Sequence, residues 1–166
     1  MAQIDLKQAT LTIMDGDTPV NELEVRIGEG NLTYNETRNM EYKLNRGLLD
    51  EVREGDEVPV AVTFDFVWDY IKGSTIVSGA VPTIEDTLKK RGNAADWVSS
   101  DADACRPYAV DLVIVYTPDC STGEVETITL ADFRWEALNH DLSAGTIAVT
   151  GNCNVTEATS ARTANV

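Results

Sequence analysis

Val58-Pro59-Val60-Ala61-Val62-Thr63-Phe64-Asp65-Phe66-Val67-Trp68-Asp69-Tyr70 carries a large apolar residue at every even position. Successive side chains of a strand point to opposite faces, so the even positions share one apolar face while Thr63, Asp65 and Asp69 share the other. Valine and the aromatic residues also fit a pleated, half-buried surface, so propensity and pattern agree. The stretch predicts a long strand with one face in the core and one in water.

Toward the N-terminus the alternation continues with Leu23, Val25 and Ile27 against Glu22, Glu24 and Arg26, until Gly28-Glu29-Gly30 intervenes and the apolar phase moves to Leu32 and Tyr34. A one-residue slip turns every side chain to the opposite face, so the glycine pair predicts a β-bulge or a sharp bend. Ile4-Asp5-Leu6-Lys7 and Leu11-Thr12-Ile13 predict a first strand, closed by turn residues at Asp15-Gly16-Asp17-Thr18-Pro19. That Asp-Gly-Asp lacks the further spaced oxygens and closing glutamate of an EF-hand loop, and it reads as a plain turn.

Toward the C-terminus, Pro82 to Gly92 has the marks of a short helix over 83–91. Thr83 can cap its amides, Glu85 and Asp86 suit its positive end, and Lys89, Lys90 and Arg91 suit its negative end, with Gly92 as the stop. The helix dipole accounts for this basic cluster without a phosphate ligand. Tyr108 to Tyr116 is apolar on both faces, as a central strand would be. Val125, Thr127, Thr129, Phe133 and Trp135 read as one face of a further strand, Gly145 to Gly151 as a short last one, and residues 157–166 as a flexible, frayed end after a single β domain at 1–156.

Between these strands, residues 35–56 form a polar excursion of mixed charge in which Met40, Tyr42 and Leu44 still alternate. Two readings stand: a solvated loop, or an arm that gains order by packing on something, such as another copy of the chain. Frequent strands, one short helix and Gly or Pro punctuation make the chain mainly β, a sandwich or barrel with one short flanking α-helix.

The 166 residues hold 28 aspartates and glutamates against 13 lysines and arginines, a formal charge of -15. Such a balance repels nucleic acid and anionic membranes and argues against a DNA reader. No apolar stretch reaches the roughly 18 residues of a membrane span, and no secretion signal is visible. Cys105, Cys120 and Cys153 are odd in number and widely spaced, which fits neither a disulfide framework nor a zinc ribbon. His140, the single histidine, lies beside Asp141 and Ser143, but neighbours so close in a turn rarely attain triad geometry. No catalytic, cofactor or metal site is expected.

The run from Gly30 to Glu36, through Met40 to Asp50, to Val60 to Tyr70, together with Phe133 to Gly151, resembles the tail tube (major tail) proteins of long-tailed bacteriophages. The resemblance implies a β-sandwich with a flanking helix and a long extended β-hairpin arm, assembled with itself into stacked hexameric rings around a DNA channel. It places the chain in the virion tail, assembled in the bacterial host cytoplasm. Its implied partners are further copies of itself and the tape measure, tail terminator and tail-tip proteins. DNA passes through without specific binding, and no cofactor is involved. Within the arm at 35–56, the inter-subunit candidates are Arg38, Met40, Glu41, Tyr42, Lys43, Leu44, Arg46, Glu51 and Arg53. Glu22, Glu24, Asp65 and Asp69, opposite the apolar faces, are the lumen-facing candidates. The rival expectation is a monomeric β-sandwich that binds carbohydrate or calcium through its Asp-rich loops.

Overall fold

The computed structural model describes residues 9–25, 27–67, 80–117 and 124–164. They form strands β1 (Ala9–Met14), β2 (Glu22–Val25), β3 (Ile27–Asn35), β4 (Arg38–Asn45), β5 (Leu48–Glu57), β6 (Val60–Val67), β7 (Val110–Tyr116), β8 (Glu124–Asp141), β9 (Thr146–Cys153) and β10 (Thr159–Ala164), with one helix, α1 (Ile84–Lys89). All described strand pairs are antiparallel, in the order β2-β1-β7-β8-β9-β6-β3, with β10 added to β8 and β4 paired with β5. The fold is mainly β, as the alternating sequence predicts.

The organising strand behaves as its pattern requires. Val60, Val62, Phe64 and Phe66 are buried, Ala61 and Thr63 are exposed, and Asp65 is half-buried between them. Trp68, Asp69 and Tyr70 lie outside the described residues. Phe64 packs its ring against Phe66 and, from another strand, Phe133, with centroids 6.3 and 6.0 Å apart. Burying a side chain of this size stabilises the fold by roughly 1.5–3 kcal/mol. β7 is central, between β1 and β8, and buries Val110, Leu112, Val113, Ile114 and Tyr116.

β8 turns the strand path into two layers around one core. Its first half lies between β7 and β10, and its second half runs along β9. The register on β7 jumps from Leu112 opposite Leu130 to Val110 opposite Phe133, and Asp132 within the bulge has φ of +57°. Aspartate tolerates this left-handed backbone better than most residues. The Asp132 amide donates to the Asp111 carboxylate at 3.0 Å, and its own carboxylate accepts from the Ser100 hydroxyl at 2.9 Å. The slip corrects the single-face reading of Val125, Thr127, Thr129, Phe133 and Trp135. Ile128 and Leu130 point inward before the bulge and Phe133 after it, because one extra residue reverses the phase. A second register shift separates Trp135 from Ala137, and Trp135 remains partly exposed. Where β9 crosses β8 only glycine fits, since a Cβ at Gly151 would lie 2.2 Å from the Arg134 carbonyl oxygen and 2.8 Å from the Phe133 ring.

The second corner is at β2 and β3, which are separated by one residue and occupy opposite ends of the strand order. β3 pairs with β6 through Ile27 opposite Phe66 and then Leu32 opposite Phe64, so the extra residues fall at the predicted Gly28-Glu29-Gly30.

Helix α1 begins as expected, with the Thr83 hydroxyl accepting from the Asp86 amide at 3.2 Å and Ile84 and Leu88 buried. It ends earlier than residue 91. The amides of Lys90 and Arg91 both close onto the Asp86 carbonyl, with Lys90 at φ +53°, so the chain leaves the helix before Gly92. The Asp15 turn is structural. Its buried carboxylate accepts from the Asn21 amide and side chain, both at 2.8 Å, and from the Val98 amide at 3.2 Å. Residues 157–166 were expected to fray, yet Thr159–Ala164 pair with Glu124–Thr129 as β10, because the exposed edge of β8 offers them a ladder.

Candidate assembly surface

Among the described residues β4 and β5 pair with each other and with no other strand, so the 35–56 excursion is a two-stranded arm. Its turn, Asn45-Arg46-Gly47-Leu48, has φ of +54° at Arg46 and +82° at Gly47, the backbone that matches the twist of a two-residue hairpin loop. Cross-strand partners divide its side chains by face. On one face Glu41 meets Arg53 at 2.6 Å and Lys43 meets Glu51 at 3.9 Å. On the other, Tyr42 stands opposite Val52 and Leu44 opposite Leu49, next to Met40 and the Arg38–Glu54 ion pair.

The ion pairs are exposed, and such pairs contribute about 0–1 kcal/mol each. Their consequence is register. The apolar face has no cover: Leu49 is 74% exposed, Tyr42 64%, Leu44 61% and Val52 52%, and Leu48, opposite Asn45 at the turn, is 74% exposed as well. An isolated two-stranded hairpin is marginal in water, and a row of large apolar side chains on it gains free energy when something covers it.

The nine residues proposed for the arm are thus brought onto one hairpin. Leu49 and Val52 belong to the same apolar face, whereas Leu48, opposite Asn45, lies on the other; all three escaped sequence reading. The register slips at Asp50, between Lys43 opposite Glu51 and Leu44 opposite Leu49, which breaks their alternation. The only visible signal was the adjacent Leu48-Leu49 pair after a glycine.

The lumen candidates are spread more widely. Glu22 and Glu24 are half-buried on β2, opposite Met14 and Thr12 and away from the core face of Leu23 and Val25. Asp65 lies on the outer face of the other layer, opposite Ala148 and near the Thr63–Thr150 pair. Asp69 lies outside the described residues.

The remaining chemistry is absorbed by structure. The Ser143 hydroxyl donates to Asp141 at 2.7 Å, and Asp141 also accepts the amides of Ser143 and Ala144, which holds its carboxyl below the usual range and closes the β8–β9 turn. His140 directs Nε2 toward Glu85 on α1, 3.5 Å away, so the three residues do not form a triad. Glu85 also binds Lys89 at 2.7 Å and Arg91 at 2.9 Å, and the Lys89 hydrogen bond above all lowers its pKa. Burial, with help from Asp111 and Asp132, pushes the Cys153 thiol up to about 12, so it stays protonated and unreactive at neutral pH. Among the described residues no cluster of three His, Cys, Asp or Glu side chains could hold a metal, and no helix is long and apolar enough to cross a membrane.

No protein-family model matches the sequence, and no curated protein matches it. Solved structures do. A chain in the cryo-EM structure of an extracellular contractile injection system, described as the PVC sheath/tube terminator in its extended state, superposes with a TM-score of 0.60. The match covers 97% of this chain and 98% of that one at 9% identity, so the two share a fold. A chain in the six-fold symmetrised cryo-EM baseplate of the anti-feeding prophage matches over 97% of each chain at 12% identity with a TM-score of 0.47. The reading below draws on the first of these.

Proposed function

We propose that the protein is a structural component of a phage-tail-like particle, polymerising as stacked hexameric rings into a tail tube through which DNA passes. The observation that carries this reading is the uncovered apolar face of the β4–β5 arm. A free subunit gains nothing from Tyr42, Leu44, Leu48, Leu49 and Val52 in water, whereas a neighbouring copy gains their burial. The fold shared with a chain from a contractile injection system terminator supports the same reading. In it, the charged side chains of the arm (Arg38, Glu41, Lys43, Glu51, Arg53) fix the register between neighbours. Glu22, Glu24, Asp65 and Asp69 remain the lumen candidates, where like charge keeps phosphate from binding the wall. The role needs no catalysis, and its other partners are the tape measure, terminator and tail-tip proteins of the particle.

Negative-stain microscopy of the concentrated protein tests this directly. Rings or tubes are the expected result, and a monomer at every concentration would sink the reading in favour of a ligand-binding β-sandwich. A second reading is favoured by the description of the structural neighbour: the chain caps a tube as its terminator instead of forming it. Single rings that never stack at high concentration would select that alternative.

A further inference from the structure

At the opposite end of the arm from its turn, two adjoining hollows open where β5 passes into β6, sharing Glu57, Val58, Thr156 and Glu157. Val58, Pro59 and Val155 give the lining its apolar part. Their rim is acidic. Glu36 on this rim accepts the Ala158 amide at 2.9 Å and Glu54 is held by Arg38, but the carboxylates of Asp56, Glu57 and Glu157 have no hydrogen-bond or ion-pair partner among the described residues. The tip of the arm has the complementary chemistry. Arg46 also has no such partner among the described residues, and it stands between the exposed Leu44 and the exposed Leu48 and Leu49.

We infer that the arm tip of one copy, Leu44 to Leu49, docks in this root groove of a second copy, with its leucines against Val58, Pro59 and Val155 and Arg46 among Asp56, Glu57 and Glu157. The tip cannot fill its own groove. The eight residues of β4 extend for roughly 25 Å, at about 3.3 Å per residue, and separate the two ends of the hairpin. The contact therefore joins two different surfaces of two molecules. Such a head-to-tail interface closes into a ring or continues as a filament, according to the rotation between copies. Unpaired carboxylates around one guanidinium also give the contact a direction, since a tip meeting a tip brings two arginines together.

This inference rests on the assembly reading above, and its test separates the two. Sedimentation velocity and electron microscopy of the full chain are compared for wild type, Arg46→Asp, the groove variant Glu57→Lys with Glu157→Lys, and the chain carrying all three changes. Aspartate is chosen at position 46 because it tolerates the left-handed backbone there, and Arg46→Gln serves as the milder variant if Arg46→Asp fails to fold. Each reversal alone is expected to weaken self-association at least tenfold, and the combined chain is expected to regain most of it. A wild type that stays monomeric overturns both the assembly reading and this contact. A wild type that assembles while either reversal assembles equally well overturns the contact alone. So does a combined chain that fails to recover.

Discussion

Replacing Leu48 and Leu49 together by serine separates assembly from folding. Full burial of a leucine stabilises by roughly 1.5–3 kcal/mol relative to exposure, and each of these side chains is 74% exposed in the free subunit. About three quarters of that gain therefore remains for a partner to supply, roughly 1–2 kcal/mol per leucine and 2–4 kcal/mol for the pair at each interface. At 1.4 kcal/mol per factor of ten, the association constant should fall by about 30- to 1,000-fold. The free subunit should hardly notice. Substitutions at wet positions stay within about 0.5 kcal/mol, which moves the melting temperature of a domain this size by roughly 1–2 °C. Sedimentation velocity over a concentration series reads the first quantity, and calorimetry on dilute protein reads the second. Unchanged association would mean that these leucines face water in the assembled state. A melting temperature lowered by more than about 5 °C would mean that the arm packs on its own domain, and the case for an uncovered face would collapse.

Glu85→Gln tests the hub that binds α1 to β8. The folded carboxyl titrates below its ordinary range, chiefly because Lys89 donates a hydrogen bond to it. Its stabilisation is present above the unfolded pKa of about 4.3 and is lost as pH falls through the folded value; the variant should melt lower than wild type at pH 7, and the gap should close in acid. A gap independent of pH would show that charge is not what holds the helix. Gly151→Ala places a methyl 2.2 Å from the Arg134 carbonyl oxygen, and overpacking of about 1–3 kcal/mol or more should lower the melting temperature by several degrees; an unchanged melt would mean that the β8–β9 crossing yields freely. On the proposed tube reading, reversing Asp65 to lysine, and separately Glu22 and Glu24, should slow genome ejection from assembled particles for each set that faces the lumen; the two sets lie on different strand pairs and are tested apart. Normal ejection in both variants would remove all three from the lumen.

Sequence alternation revealed the strands wherever the phase runs unbroken. β6 and β7 could be read directly, since Val60 to Phe66 keeps one period and Val110 to Tyr116 is apolar on both faces. The glycine pair before Leu32 also announced its slip, because glycine marks a change of phase that the apolar pattern then confirms. At Asp132 no such mark exists. The bulge is held by Asp111 and Ser100, which are 21 and 32 residues away in the chain, so nothing local distinguishes it from a continuing strand. The same holds for β10. Thr159 to Ala164 is small and polar, and only the vacant edge of β8 makes it a strand. Half of the arm was legible for the same reason: Met40, Tyr42 and Leu44 alternate, but the slip at Asp50 hides the returning Leu49 and Val52.

Net charge hides a second distinction that the fold makes plain. Many of the acids are used within the subunit. Asp15 ties two loops together, Glu85 gathers two cations and a histidine, Asp101 anchors Arg134 and Arg106, and Asp141 closes a turn. Acids engaged in this way cannot serve as a repulsive wall, since their field is already met by a neighbour. Others stay unpaired: Asp56, Glu57 and Glu157 gather at the root of the arm, where among the described residues the one cation lining the hollow is Arg38, itself engaged by Glu54. In the proposed contact it is Arg46 of a second copy that meets them. The charge of -15 thus divides in two: acids paired inside the subunit hold its loops and helix in place, and the unpaired acids at the arm root are those on which the proposed contact with a second copy rests.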